Sequence, residues 1–164
     1  MDTTNIQSVK KANLLIANGY QVVPITSSGK PLVSGHLDSD TEYTSKDVKV
    51  WMKRFPDAGL ALCAGKNNVY ALDFDIDHKS VANKFSRYIK KKYPGCVIRS
   101  CNPPRFAILF QAGEDLQNVS NGHSVHFTTP ENKLNQIELL GNRTITLFGN
   151  HRETRKLYRW AVGY

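Results

Sequence analysis

The segment Val69-Tyr70-Ala71-Leu72-Asp73-Phe74-Asp75-Ile76-Asp77 constrains this chain more than any other. Successive side chains of a strand point to opposite faces. Tyr70, Leu72, Phe74 and Ile76 then share one face and can enter a core. Asp73, Asp75 and Asp77 share the other, preceded by the small Val69 and Ala71. Alternate residues of a strand lie roughly 7 Å apart, close enough for two carboxylates to share a hard divalent ion or a metal pair. Like charges so placed repel unless a cation lies between them. The bland alternative is a solvated strand end that turns into the next helix. Asp-x-Asp alone does not separate the two.

Around this segment the periodicities alternate. Ile6 to Ala17 has helical spacing and stops before Gly19, and Tyr20 to Ile25 reads as a strand. Thr44 to Asp47 supplies an N-cap for a helix through about Arg54. Gly59 to Ala64 and Val69 to Asp75 read as strands joined by Gly65-Lys66-Asn67-Asn68, a hairpin signal. The helix from about Ser80 to Lys92 carries an apolar stripe of Val81, Phe85, Tyr88 and Ile89, with Lys84, Arg87 and Lys91 along another side. Later strands are expected at Cys96–Ser100, Arg105–Phe110, Gln136–Leu140, Thr144–Phe148 and Leu157–Trp160. The long irregular stretches 26–43 and 111–122 are candidate functional loops. Irregular interleaving with late hairpins predicts an α+β fold: one mostly antiparallel sheet with helices on one face.

Composition narrows the function classes. At 164 residues the chain is one domain's worth. Its longest apolar runs fall far short of the roughly 20 residues that span a bilayer. The first residues lack a basic stretch followed by a long apolar core, so a cytoplasmic protein is expected, without a membrane partner. The three cysteines, Cys63, Cys96 and Cys101, include no Cys-x-x-Cys pair and read as reduced, mostly buried side chains. Lys plus Arg is 22 against 14 for Asp plus Glu, a net charge of +8. A small domain this basic often faces a polyanion, with nucleic acid or nucleotide phosphate first; the alternative is a solubilising surface excess.

Further chemistry-bearing residues follow the acidic strand. Glu138 sits inside the apolar run Ile137-Glu138-Leu139-Leu140 and completes a three-carboxylate cluster if that strand lies beside Asp73. Arg99 and Arg105 flank the turn Ser100-Cys101-Asn102-Pro103-Pro104, and Arg143, Arg152, Arg155 and Arg159 surround the last strands. Carboxylates holding metal with arginines beyond them suit a nucleoside triphosphate.

In order along the chain, these residues resemble the primase-polymerase (prim-pol) domain of the archaeo-eukaryotic primase superfamily, plasmid and phage type. Val69 to Ile76 resembles its first acidic motif, and Gln136 to Arg143 is similar to its later acidic strand. Phe148-Gly149-Asn150-His151-Arg152-Glu153-Thr154 and Tyr158-Arg159-Trp160 stand where relatives carry Gly-x-His-Pro-x-Thr and Tyr-x-Trp. Asn18 to Ile25, Gly29-Lys30-Pro31 and Ala58 to Gly65 also fit, so the resemblance spans about Ile6 to Trp160. One departure stands out. The family's middle motif presents a histidine in a Ser-Gly-Gly-x-His context, whereas the matching stretch here is Asn102-Pro103-Pro104-Arg105-Phe106.

The resemblance implies an RRM-like, mostly antiparallel sheet core with an N-terminal α/β unit and helices packed on the sheet. It implies template-directed nucleotidyl transfer with Mg²⁺ or Mn²⁺, with Asp73, Asp75 and Glu138 as the metal-binding acids. DNA template, dNTP or NTP, and a helicase domain or protein are the implied partners, in plasmid, phage or mobile-element replication. Residues 1–164 are expected to form a single prim-pol domain, either the whole protein or one cut from a primase-helicase. Arg99, Arg105, Arg143 and His151 are candidates for nucleotide phosphate. Lys84, Arg87 and Lys91 are candidates for DNA backbone, against the alternative of a solvated helix face. Strand alternation sends Phe106 into the core if Arg105 faces the site. His151 has a plainer alternative, capping the loop before the final strand.

Three other functions compete. A rolling-circle initiator needs two histidines one residue apart on a strand, and His123 and His126 are one residue too far apart. A glycosyltransferase would use Asp-x-Asp but normally needs a longer parallel sheet. A prim-pol relic would bind nucleic acid or nucleotide without polymerising.

Overall fold

The computed structural model describes residues 3–38, 40–94, 96–113, 123–129, 133–151 and 154–162. Helix α1 (Thr3–Ala17) leads to strand β1 (Val22–Ile25), helix α2 (Ser45–Arg54) and strand β2 (Gly59–Ala64). Strand β3 (Val69–Asp75), helix α3 (Lys79–Lys92), β4 (Val97–Ser100) and β5 (Phe106–Gln111) follow. The chain then forms β6 (Ser124–Thr128), β7 (Leu134–Leu140), β8 (Arg143–Phe148) and β9 (Arg159–Val162). Most of the candidate loop 111–122 lies outside the described residues, as does Arg152.

Among the described residues two antiparallel sheets form, in place of the single sheet expected. The smaller has the order β1-β2-β8, and the larger β6-β7-β3-β5-β4-β9. The architecture is α+β, with a sheet core and an N-terminal α/β unit. Its first unit, α1-β1-α2-β2, completes its sheet only by borrowing β8 from the end of the chain.

The hairpin reading of β2 and β3 is therefore corrected: β2 pairs with β1 and β8, whereas β3 pairs with β5 and β7. The linking turn explains why. Gly65 has φ 93°, and Asn67 and Asn68 also take the left-handed region, so the chain swings out of one sheet into the other. A second crossing, through Gly141 and Asn142 between β7 and β8, lies against the first. A side chain at Gly65 would meet the Asn142 backbone nitrogen at 2.8 Å.

Burial patterns reveal the layers. Every residue of β1 is buried, as are all of β2 after Gly59, without alternation, so the smaller sheet is covered on both faces. α1 and α2 lie on one side, contributing Ala12, Val48, Trp51 and Met52 to its core. The same cluster takes in Val69, Ala71, Ala107 and Leu140 of the larger sheet. The smaller sheet thus covers part of one face of the larger sheet and leaves Asp73 and Asp75 beyond its rim. α3 covers the opposite face, where Ala82 and Ile89 pack with Phe74, Ile76, Ile98, Phe106 and Ile108.

Local signals read from sequence hold where they are strong. Thr44 and Asp47 form a reciprocal capping box at the start of α2. His78 caps α3 by accepting from the Val81 amide. Tyr88 is corrected out of the α3 stripe: it is 59% exposed, with its ring beside Lys92. The last strand starts at Arg159, while Leu157 forms only a bridge to Asn150. β6 was not foreseen. It is an edge strand whose Val125 is 65% exposed while Phe127 packs against the core beside α3, so only one of its two apolar side chains is partly buried. The loop 26–43 is pinned from outside: Lys66 Nζ donates to the carbonyls of Asp38 and Thr41.

Gly65 offers a direct test of the double crossing. Gly65→Ala should lower stability by about 2 kcal/mol, because φ and the Asn142 backbone both oppose a methyl group. Gly113→Ala, with nothing within 4 Å, should stay within about 0.5 kcal/mol. Urea denaturation of both variants measures the difference.

Candidate active site

The acidic strand occupies the middle of the larger sheet, and its register assembles the site. Asp73 lies directly opposite Glu138 on β7 and Ala107 on β5, and Asp75 lies opposite Gln136. Residues opposite one another in an antiparallel pair share a face, with side chains about 5 Å apart. Asp73, Asp75, Glu138 and Gln136 therefore stand together on the face that α3 does not cover. Their alternates behave as expected: Tyr70, Phe74 and Ile76 are buried, and Phe74 stacks on Phe106 at 4.4 Å. Phe106 enters the core, and its neighbour Arg105 faces the carboxylates.

A row of residues crosses the sheet through Asp73. Arg99 on β4 pairs with Ala107, whose small side chain leaves the space between arginine and aspartate open. The Arg99 guanidinium reaches Asp73 Oδ1 at 3.9 Å. It also donates from Nη1 to the Thr146 carbonyl on β8 and lies 4.5 Å from the Tyr158 ring centroid. Arg99 is only 6% exposed, and its buried Nε has no hydrogen-bond partner.

Each of the other carboxylates also meets an arginine. Arg105 holds Asp77 through two hydrogen bonds, at 2.7 and 3.1 Å, and lies 3.6 Å from Asp75. Arg143 Nη1 donates to Glu138 Oε1 at 2.9 Å. Burial pushes the Asp73 carboxyl up to about 6, opposed by Arg99 and reinforced by Asp75 and Glu138. The hydrogen bond from Arg105 holds Asp77 below the ordinary carboxyl value. Burial also pushes the Tyr158 hydroxyl up to about 12.

Beside the carboxylates is a small polar cavity of about 70 Å³. Asp73, Asp75, Arg99, Arg105, His151 and Tyr158 line it, with Ser100, Cys101 and Asn102 from the β4–β5 turn. His151 Nδ1 accepts from the Thr154 amide at 3.2 Å, so the histidine caps its loop and lines the cavity at once. Of the residues singled out from sequence, the structure gathers Asp73, Asp75, Arg99, Arg105 and His151 around this cavity. Glu138 and Arg143 stand on the β7 side of Asp73. Lys84, Arg87 and Lys91 do not join them: α3 packs on the opposite face of the sheet, where all three are exposed. The sequence reading assigned no role to Ser100, Cys101, Asn102 or Tyr158, which turns and loops bring in from elsewhere. Gln136 it also missed, although its spacing of two from Glu138 already placed it on the acidic face.

The sequence profile of the bifunctional DNA primase/polymerase N-terminal domain matches residues 12–163. The chain belongs to this family. No curated protein matches the chain. Membership supports a primase/polymerase of the nucleotidyltransferase class, acting on DNA template and nucleotides, in a family that is generally metal-dependent. Among the described residues no helix is long and apolar enough to cross a membrane.

The prim-pol residues fit a hard divalent ion in kind, since Asp73, Asp75 and Glu138 offer only carboxylate oxygens. Among the described residues no three His, Cys, Asp or Glu side chains are gathered around one ion position. Each of the three acids has a guanidinium beside it.

The raised Asp73 carboxyl has a measurable consequence. A carboxyl moved from 3.8 to about 6 holds its proton more tightly folded than unfolded. Its contribution to stability is therefore greatest below its unfolded value and is lost as pH rises toward 6. Asp47 and Asp77, held low by hydrogen bonds, act with the opposite sign. Comparison with Asp73→Asn isolates the single group. From pH about 4 to about 6.5 the wild type should lose on the order of 2 kcal/mol relative to the variant, in urea denaturation without divalent ions. Parallel stability curves would show that Asp73 titrates like an ordinary aspartate.

Proposed function

We propose that this prim-pol domain joins nucleotides to a DNA primer strand under the direction of a template. The observation that carries the reading is the β3–β7 register, which sets Glu138 opposite Asp73 and beside Asp75, next to a cavity lined by cations. In the reaction the primer 3′-hydroxyl oxygen attacks the α-phosphorus of a nucleoside triphosphate. The bond from that phosphorus to the bridging oxygen breaks as the new one forms. Pyrophosphate leaves, and the hydroxyl proton passes to water.

Asp73, Asp75 and Glu138 are the residues that would hold Mg²⁺ or Mn²⁺, and the bound ion supplies Lewis-acid stabilisation of charge on the phosphoryl oxygens. Arg105 and His151, which line the cavity, receive the β- and γ-phosphates in this reading. A guanidinium and an imidazole there supply donors that Phe106, at the place of the family histidine, does not. Arg99 acts from behind Asp73, and Arg143 acts beside Glu138. Lys84, Arg87 and Lys91, at i, i+3 and i+7 on α3, contact backbone phosphates of nucleic acid that continues behind the sheet. A helicase partner and a role in mobile-element replication belong to this same reading.

The decisive experiment is dNTP incorporation into a primed template with Mn²⁺. Asp73→Asn with Asp75→Asn should abolish incorporation with the fold intact, since charge is lost but little volume. Arg105→Ala or His151→Ala should weaken dNTP binding by about 1.5–3 kcal/mol, the value of a charge-assisted hydrogen bond, and leave DNA affinity unchanged. A wild type that binds primed DNA but adds no nucleotide would favour a binding domain that does not polymerise.

Replacing Lys84, Arg87 and Lys91 together by Ala should flatten the salt dependence of DNA binding by about three phosphate contacts. An unchanged slope in fluorescence anisotropy titrations would return the three to a solvated helix face.

A further inference from the structure

The cation-lined cavity lies to one side of the carboxylates, and this asymmetry assigns a direction to the sheet. Arg99, Ser100, Cys101, Asn102, Arg105, His151 and Tyr158 all come from the β4, β5 and β9 side of Asp73. Across Asp73 lie β7 and then the edge strand β6. Register continues the polar rows in that direction. Glu138 is opposite Ser124, and Gln136 is opposite His126. Ser124 Oγ and His126 Nε2 share a hydrogen bond of 3.0 Å, so both stand on the carboxylate face. Both are exposed, and Arg143 stands beside Glu138 on the same side.

In-line displacement requires the entering oxygen and the leaving group on opposite sides of the phosphorus. A nucleotide whose β- and γ-phosphates rest on Arg105 and His151 directs its leaving group toward β5 and β4. The entering hydroxyl must then come from the β7 side. We infer that the open face of β6 and β7, formed by Ser124, His126 and Gln136 with Arg143 reaching in from the start of β8, holds the 3′ end of the primer strand. The inference rests on the nucleotidyl-transfer reading and deepens it by naming the partner of this half of the face. His126, Gln136 and Ser124 offer hydrogen-bonding groups to sugar and phosphate oxygens, and Arg143 offers a guanidinium, which is the usual chemistry of backbone positioning. The template strand is the competing occupant.

Photocrosslinking distinguishes them without needing turnover. His126→p-benzoylphenylalanine is irradiated in the full chain with Mn²⁺ and a primer–template hairpin whose two arms carry different fluorophores. Crosslinks to the terminal nucleotides of the primer arm are expected. Lys84→p-benzoylphenylalanine, on the far face, should not reach that terminus. Crosslinks from position 126 to the template arm alone, or none, would overturn the inference. A kinetic arm uses His126→Glu alone, which adds negative charge on the edge strand, two strands away from the cavity-lining Asp75. The primer KM should rise about tenfold with the dNTP KM within about twofold. A rise in the dNTP KM instead would place the nucleotide on β6 and reverse the direction. Failure of the wild type to incorporate dNTP would count against nucleotidyl transfer, while the crosslinks still report which strand end lies on β6.

Discussion

The Arg99 side chain ties the two sheets together at the point where the carboxylates begin. One guanidinium nitrogen faces Asp73 in the larger sheet, and another donates to the Thr146 carbonyl in the smaller. A buried guanidinium is costly unless its charge and its hydrogens find partners. Asp73, Thr146 and the Tyr158 ring meet part of that need and leave Nε without a hydrogen bond, so the position of the Asp73 carboxylate depends on how the sheets dock. Trp160 reinforces the same junction by donating from Nε1 to the Leu147 carbonyl.

This docking makes one face of a single sheet serve two purposes. Where the smaller sheet covers it, Val69, Ala71, Ala107 and Leu140 are buried and contribute to the core. Past the rim, Asp73, Asp75 and Glu138 continue the same face as a polar surface. Asp73 sits at the boundary, which explains why its carboxyl is the one that burial raises so far. The two crossings between sheets, at Gly65 and at Asn142, lie against each other and hold the rim in place.

How far the site could be read from sequence depends on how local its cause is. The faces of β3 follow from alternation alone, and so does the turn of Phe106 into the core opposite Arg105. The capping box of α2 and the apolar side of α3 are local for the same reason. The hairpin reading failed because Gly65-Lys66-Asn67-Asn68 is chemically a good turn, and turn chemistry does not say which sheet the next strand joins. β6 escaped notice because Val125 and Phe127, two apolar residues in a five-residue strand, make too short an alternation to stand out. Tyr158 reaches the cavity through the long-range pairing of β4 with β9, and the β4–β5 turn through the pairing of β5 with β3.

The sequence by itself determined which residues are acidic neighbours, which face of β3 they share, and the family to which the chain belongs. A strand's period of two is a property of its backbone and holds in any surroundings. Only the tertiary structure decided that Glu138 stands opposite Asp73, that Arg99 spans both sheets, and that Lys84, Arg87 and Lys91 lie behind the site. Those outcomes depend on strand order and register, which arise when separate segments compete to bury apolar surface and satisfy backbone hydrogen bonds. No local pattern encodes the winner of that competition.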